Sequence, residues 1–278
     1  MTRKHLSFRP RLEALEDRCM PSTLTVLNNL DNYSPGSLRA DIAAAHSGDT
    51  IVFDPSLAGQ QILLTGSELI INKNLTIQGL PNKPAISGGN LSRVFDVYAG
   101  ANVTLIDLAI INGNGKASNG FNPGSFDGEG GGVVNSGTLT VSNCTISGNS
   151  ASIYGGGIYN LRTLTVSNCT ISGNSAYGGG GISNDTGGTL TVSGSTLSGN
   201  SASLYGGGIL NYGTAAVQST TLSGNSAGSK GGGIYSTKPA KLTISSKSVV
   251  LNNVATLGAD LFGSAQISRD STVGVIAR

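Results

Sequence analysis

The sequence predicts an all-β chain wound as a single-stranded parallel β-helix, a solenoid with three short strands in each turn of about 25 residues. Three observations carry this prediction. First, a glycine run followed by an apolar residue recurs, marked by Val133, Ile158, Ile182, Ile209 and Ile234, in steps of 25, 24, 27 and 25 residues. Second, apolar and polar residues alternate between those marks. Leu139/Val141, Leu164/Val166, Leu190/Val192, Ala215/Val217 and Leu242/Ile244 form one set, and Ile146, Ile171, Leu197 and Leu222 another, in the period-2 pattern of strands. Third, only Arg162 and Asp185 are ionised between Gly130 and Ser229. A stack with equivalent positions about 4.8 Å apart requires this, because like charges one above another repel.

Each element follows in chain order. Residues 1–22 read as a disordered leader or sorting segment, with five Lys/Arg against three acids. Residues 23–50 read as an N-terminal cap holding a short amphipathic helix. Ser34 or Ser37 is its N-cap, Leu38 and Ile42 its apolar face, Gly48 its stop, and His46 sits near its negative end. Residues 51–278 read as the β-helix. Its early, irregular turns are TIVFD, QILLT, ELIINKNLTIQG, RVFDV and NVTLIDLAIING, for eight or nine turns in all. Asn149, Asn174, Asn200 and Asn225 recur in a Ser-Gly-Asn-Ser context and read as a structural ladder. Asn tolerates the left-handed conformation, and its amide can bond the Asn of the next turn. The strand edges at an open end of such a rod invite end-to-end self-association.

Composition bounds the function. Glycine supplies 42 of 278 residues and charged residues only 12%. Without the leader the remaining body is formally neutral, which leaves no basic footprint for nucleic acid. No apolar run approaches the roughly 18 residues of a transmembrane span. Three cysteines without CxxC spacing support neither a disulfide framework nor a zinc site. Cys144 and Cys169 are expected inside adjacent turns as free thiols. No cofactor is implied.

With these residues laid out, the units GGGIYN…LTVSNCTISGNSA and the preceding SPGSLRADIAAA…GDTIVFDPSLAG resemble right-handed parallel β-helix proteins of bacterial surfaces. They are similar above all to polymorphic outer-membrane-protein (Pmp-type) repeats, over about Leu24 to Asp260. The resemblance implies a right-handed solenoid, secreted or displayed at the cell surface, that acts as an adhesion-type module. No barrel-forming stretch follows the repeats in this sequence, so anchoring by that route is not expected. The stretch FRPRLEALEDRCMPS resembles an LExLEDRxxPS leader of bacterial extracellular proteins, which implies export or sorting. It lacks the apolar core, about 7–15 residues, of an ordinary secretion signal.

Two functional classes remain. A polysaccharide lyase or glycoside hydrolase needs several carboxylates around a metal with a nearby base, or a carboxylate pair across the scissile bond. Both histidines, His5 and His46, lie outside the repeats. The acids open to such a role are Asp96, Asp107, Asp127 and Glu129, the last two ending the long loop 112–130. Asp127 and Glu129 are also the weak candidates for a cation, and that loop is otherwise a solvated insertion. The non-catalytic class is binding to polysaccharide or a cell-surface glycan. Tyr154, Tyr177 and Tyr205 each precede a glycine run and are expected to line one corner, while Tyr159 and Tyr235 follow the buried Ile and should point outward. The alternative for all five is packing over neighbouring turns. The sequence therefore favours a non-catalytic surface module that binds a glycan, with a carbohydrate-active enzyme as the alternative.

Overall fold

The computed structural model describes residues 20–65, 67–115 and 126–278. The leader to Cys19, and loop residues 116–125, lie outside the described residues together with the expectations made for them. Three all-parallel sheets run the length of the rod. Sheet A has ten strands, from Thr23–Val26 to Gln266–Ile267, and sheet B nine, from Gln61–Leu63 to Thr272–Val273. Sheet C, which follows each glycine run, has nine strands from Leu69–Ile71 to Ile276–Ala277. The result is about nine turns of three strands. All the early stretches read as strands pair into these sheets, and two further strands join them, Thr23–Val26 in sheet A and Ala85–Ser87 in sheet B. The first strand pairs with Asp49–Phe53, so sheet A begins ahead of the helix.

Equivalent residues of successive units stack. Leu139 pairs with Leu164 and then Leu190, Ile146 with Ile171 and then Leu197, and Ile158 with Ile182 and then Ile209. These side chains are buried and fill the rod with columns of Leu, Ile and Val. The alternating Thr140, Thr165 and Thr191 look outward and are half-buried.

Each corner of this triangular section carries a polar ladder. After sheet B, Asn149, Asn174, Asn200 and Asn225 are buried inside the rod. Each amide donates at 2.9 Å to the Oδ1 of the next, and each backbone N–H donates to the same oxygen at 3.0–3.1 Å. Their second amide hydrogens go back to the carbonyls of Ile110, Ile146, Ile171 and Leu197. The left-handed residue at this corner is the preceding glycine, such as Gly173 (φ 63°) and Gly199 (φ 63°), and not the Asn. Pointing the amide inward needs ordinary backbone at Asn, so the conformational strain passes to a residue without a Cβ.

A second ladder joins Asn135, Asn160, Asn184 and Asn211 by side-chain bonds of 2.7–2.8 Å and ends on Ser236. At the third corner the backbone N–H of Cys144 donates to Cys169 Sγ, that of Cys169 to Ser195 Oγ, and so on through Thr220, Ser248 and Ser271. The thiols occupy hydroxyl positions, and both cysteines are buried and free. The hydrogen bond with Cys169, followed by burial, pushes the Cys144 thiol far above its ordinary range. Glycine runs close the turn between sheets B and C. A Cβ on Gly207 would stand 2.3 Å from the Ser226 carbonyl oxygen, so no larger residue fits there.

The helix spans Leu38–Ala44 with Ser37 as N-cap, its Oγ accepting from Ala40 N–H at 3.2 Å. Leu38 and Ile42 join the core. The cation at its negative end is Lys73 rather than the exposed His46. Lys73 Nζ donates to the carbonyls of Ile42, Ala43 and Ala45 at 2.8–3.3 Å. At the far end the ladder closes on Asp260, which follows Asn253 by seven residues and stands where Gly233 stands one turn earlier. Its Oδ1 accepts from Asn253 N–H and Nδ2, and its Oδ2 accepts from Val275 N–H.

Replacing Asn200 by Ala leaves the backbone N–H and the amide of Asn174 buried without their shared acceptor. Such orphaned groups are expected to cost about 3–5 kcal/mol in denaturant unfolding. A loss below about 1 kcal/mol would show that the ladder contributes little.

Candidate functional site: an aromatic and acidic face on sheet C

The first eight strands of sheet C are three residues long, with one outward residue each. In register these are Ile70, Asp96, Val134, Tyr159, Ser183, Leu210, Tyr235 and Phe262. Outward residues of a solenoid are ordinarily solvated, yet Val134, Tyr159, Ser183, Leu210 and Phe262 are buried. Neighbouring side chains cover them. A small fourth sheet, Ser175–Gly178, Ser201–Tyr205 and Ser226–Ala227, runs along the corner before the glycine runs.

Seven of the chain's fourteen Tyr and Phe residues gather here. Tyr159 stacks on Tyr154 at 6.3 Å and meets Phe126 edge-on at 6.0 Å. Tyr235 stacks on Tyr205 at 4.7 Å and on Phe262 at 5.4 Å, and Tyr212 meets it edge-on at 6.2 Å. Lys230 Nζ lies 4.6 Å from the Phe262 ring centre. Tyr159 thus faces away from the core, as the alternation predicts, but is buried under its ring neighbours.

Tyr177 does not belong to this group. The glycine run after it has four members, Gly178 to Gly181, where its neighbours have three. Gly178 is therefore the residue that pairs with both Tyr154 and Tyr205. Tyr177 slips by one position, which turns a strand side chain to the other face, and it is 46% exposed.

The polar groups of the face are mostly acids. Arg93 is 1% exposed, with Nη1 3.7 Å from Asp96 Oδ2 and 3.9 Å from Glu68 Oε1. Its other nitrogens donate to the carbonyls of Phe126 (2.6 Å), Glu129 (3.0 Å) and Gly130 (3.1 Å), pinning the return of the long loop onto sheet C. Burial raises the Asp96 carboxyl to about 6 against the opposing pull of Arg93, and its Oδ1 is buried without a hydrogen-bond partner. Burial, and then the Asp185 carboxylate, raise Glu129. The Tyr159 hydroxyl donates to Asp185 Oδ2 at 3.0 Å. Burial first, then Glu129 and Asp185, push that phenol far above its ordinary range, and burial raises Tyr212 to about 12.

Of the residues singled out from sequence, the fold brings together Tyr154, Tyr159, Tyr205, Tyr235, Asp96 and Glu129. Asp127 is exposed in the turn beside Phe126, and Asp107 lies at the corner after the sheet A strand Asn102–Ile106 with φ of 53°. Phe126, Tyr212, Phe262, Asp185, Glu68 and Arg93 were not foreseen. Phe262 alone carried a signal, since it holds the position that Tyr159 and Tyr235 hold after their glycine runs. Among the described residues no three His, Cys, Asp or Glu side chains stand close enough to hold a metal ion, and no helix is long and apolar enough to cross a membrane.

The chain belongs to the right-handed β-helix family. The family profile described as right handed beta helix region matches residues 58–227, and the Chlamydia polymorphic membrane protein repeat profile matches residues 219–237. No curated protein matches the sequence. Among solved structures, pectate lyase Pel9A superposes with a TM-score of 0.56 at 12% identity, over 92% of this chain and 79% of that one. Jun a 1, the major allergen from cedar pollen, superposes with a TM-score of 0.46 at 13% identity, over 92% of this chain and 80% of that one. At such identities the likeness to Pel9A is one of fold.

The sign of the Asp96 effect on stability is fixed by its raised value. Burial favours the neutral acid, so this stabilisation is complete below the ordinary value of 3.8 and is lost as pH rises through about 6. Asp96→Asn should therefore stabilise the protein by about 2 kcal/mol near pH 8 and leave it unchanged near pH 4. Denaturant unfolding at the two pH values measures this, and an equal effect at both would contradict it.

Proposed function

We propose that this chain is a non-catalytic, extracellular surface module of bacterial origin that binds a polysaccharide lying along the outer face of sheet C. The observation that carries this reading is the concentration of seven aromatic side chains over successive turns of one face. Aromatic residues with a polar tip favour sites where one end is apolar and the other wet. Tyr235 stacks on both Tyr205 and Phe262, so its faces are taken by its own neighbours. The polysaccharide then meets ring edges and phenol hydroxyls, repeating at the spacing of the turns. The expected contact is hydrogen bonding along an extended chain.

The test is retention on immobilised polysaccharides. Tyr154, Tyr205 and Tyr235 changed together to Phe keep the packing and lose the hydroxyls, and should weaken retention about tenfold or more. Tyr177→Ala should leave it unchanged. Retention untouched by the triple change would reject this face as the binding surface. Shaving of intact cells with protease tests the location, since a protein protected until lysis is not at the surface.

The carbohydrate-active alternative has one observation in its favour, the Asp96 carboxyl raised to about 6 beside Arg93. A fold shared with a pectate lyase adds only analogy. Release of reducing ends or unsaturated products from any polysaccharide, abolished by Asp96→Asn, would favour the enzyme over the binding module.

A further inference from the structure

The charge of the face is lopsided. Glu68, Asp96, Glu129 and Asp185 contribute four carboxylates, and the one cation among them, Arg93, is 1% exposed, with Nε and Nη2 held by carbonyls of the loop and Nη1 facing Asp96 and Glu68 at 3.7 and 3.9 Å. Asp96, on the outward column of sheet C and 8% exposed, keeps its Oδ1 buried without a hydrogen-bond partner. That oxygen calls for a donor that the described residues do not supply. Two further carboxylates border the ring pair Tyr154 and Tyr159. Asp185 accepts from the Tyr159 hydroxyl, and Glu129 stands near enough for the two acids to influence each other.

An ammonium group suits such a setting. It brings three donors and no acceptor, and its charge is drawn to carboxylates. A polyuronate meets the opposite conditions, because it adds negative charge beside acids that already repel one another. Lys230, the half-buried second cation of the face, lies at its far end over Phe262.

Resting on the binding reading above, we propose that the ligand is a polysaccharide carrying free primary amines, an amino-sugar polymer, whose ammonium groups are received by Asp96, Glu129 and Asp185. The same fold that in Pel9A belongs to a pectate lyase would here exclude the anionic polymer and select a cationic one.

The experiment is a titration of the full chain near neutral pH and at low salt. The probes are a deacetylated glucosamine oligomer, its fully N-acetylated counterpart of equal length, and an oligogalacturonate. The deacetylated oligomer should bind about tenfold or more tightly than the acetylated one, and the oligogalacturonate not detectably. Glu129→Gln with Asp185→Asn should abolish the preference while retaining the Tyr159 contact through the Asn amide oxygen. Circular dichroism establishes that the variant is folded, and Tyr177→Ala serves as a control that should bind like the parent. Equal affinity for the deacetylated and the acetylated oligomer, or a preference for the uronate, would overturn the amine selectivity and leave the binding face standing. Absence of binding to all three by a folded protein would remove both.

Discussion

The buried side-chain ladders are the constraint on which the rest depends. An amide inside an apolar rod is tolerable only when its donors and acceptor are all met, and here each is met by the turn above or below. A slip of one residue in any turn would orphan groups at all three corners together. The apolar columns are permissive about order, since Leu, Ile and Val interchange along them. The ladders supply the discrimination that the columns lack, and so fix which residue of each unit stands over which.

The same rigidity explains where chemistry can be placed. In the turns from Thr138 to Ser198, sheets A and B present Thr and Ser outward in uniform rows. Sheet C offers one outward position per strand, and that position varies freely among Asp, Val, Tyr, Ser, Leu and Phe. The corner before it, where the fourth sheet runs, also changes length from turn to turn. Within those turns variation is confined to the outer surface of sheet C and the corner beside it. The long loop returns to this same surface, held by a guanidinium that reaches its backbone carbonyls and so asks nothing of its side-chain identities.

The sequence made the scaffold legible because its repeat is written in residue type. The period, the strand positions, the core columns, the helix with its cap at Ser34 or Ser37, and one of three ladders follow from pattern alone. The Asn135 ladder has the same sequence signal, an Asn two residues after each buried marker, except that Ser236 ends it. The thiol and hydroxyl ladder was opaque because Cys, Ser and Thr share a corner without sharing a letter. The face on sheet C was half legible. Tyr154 and Tyr205 align by their glycine runs, but Tyr177 aligns with them only in the sequence, and the extra glycine sends it elsewhere. Arg93 and Glu68 come from irregular early turns, where no period says which residues will meet.

The close of the first ladder at Asp260 has a consequence for how such a rod acquires its length. An Asn in that column both gives and receives, so each turn it occupies creates the demand for another like it. A carboxylate receives only. Asp260 stands outside the column, seven residues after Asn253 and at the position Gly233 holds one turn earlier, so the column is closed from within its own last turn, and duplication of a unit upstream lengthens it without rewriting its end.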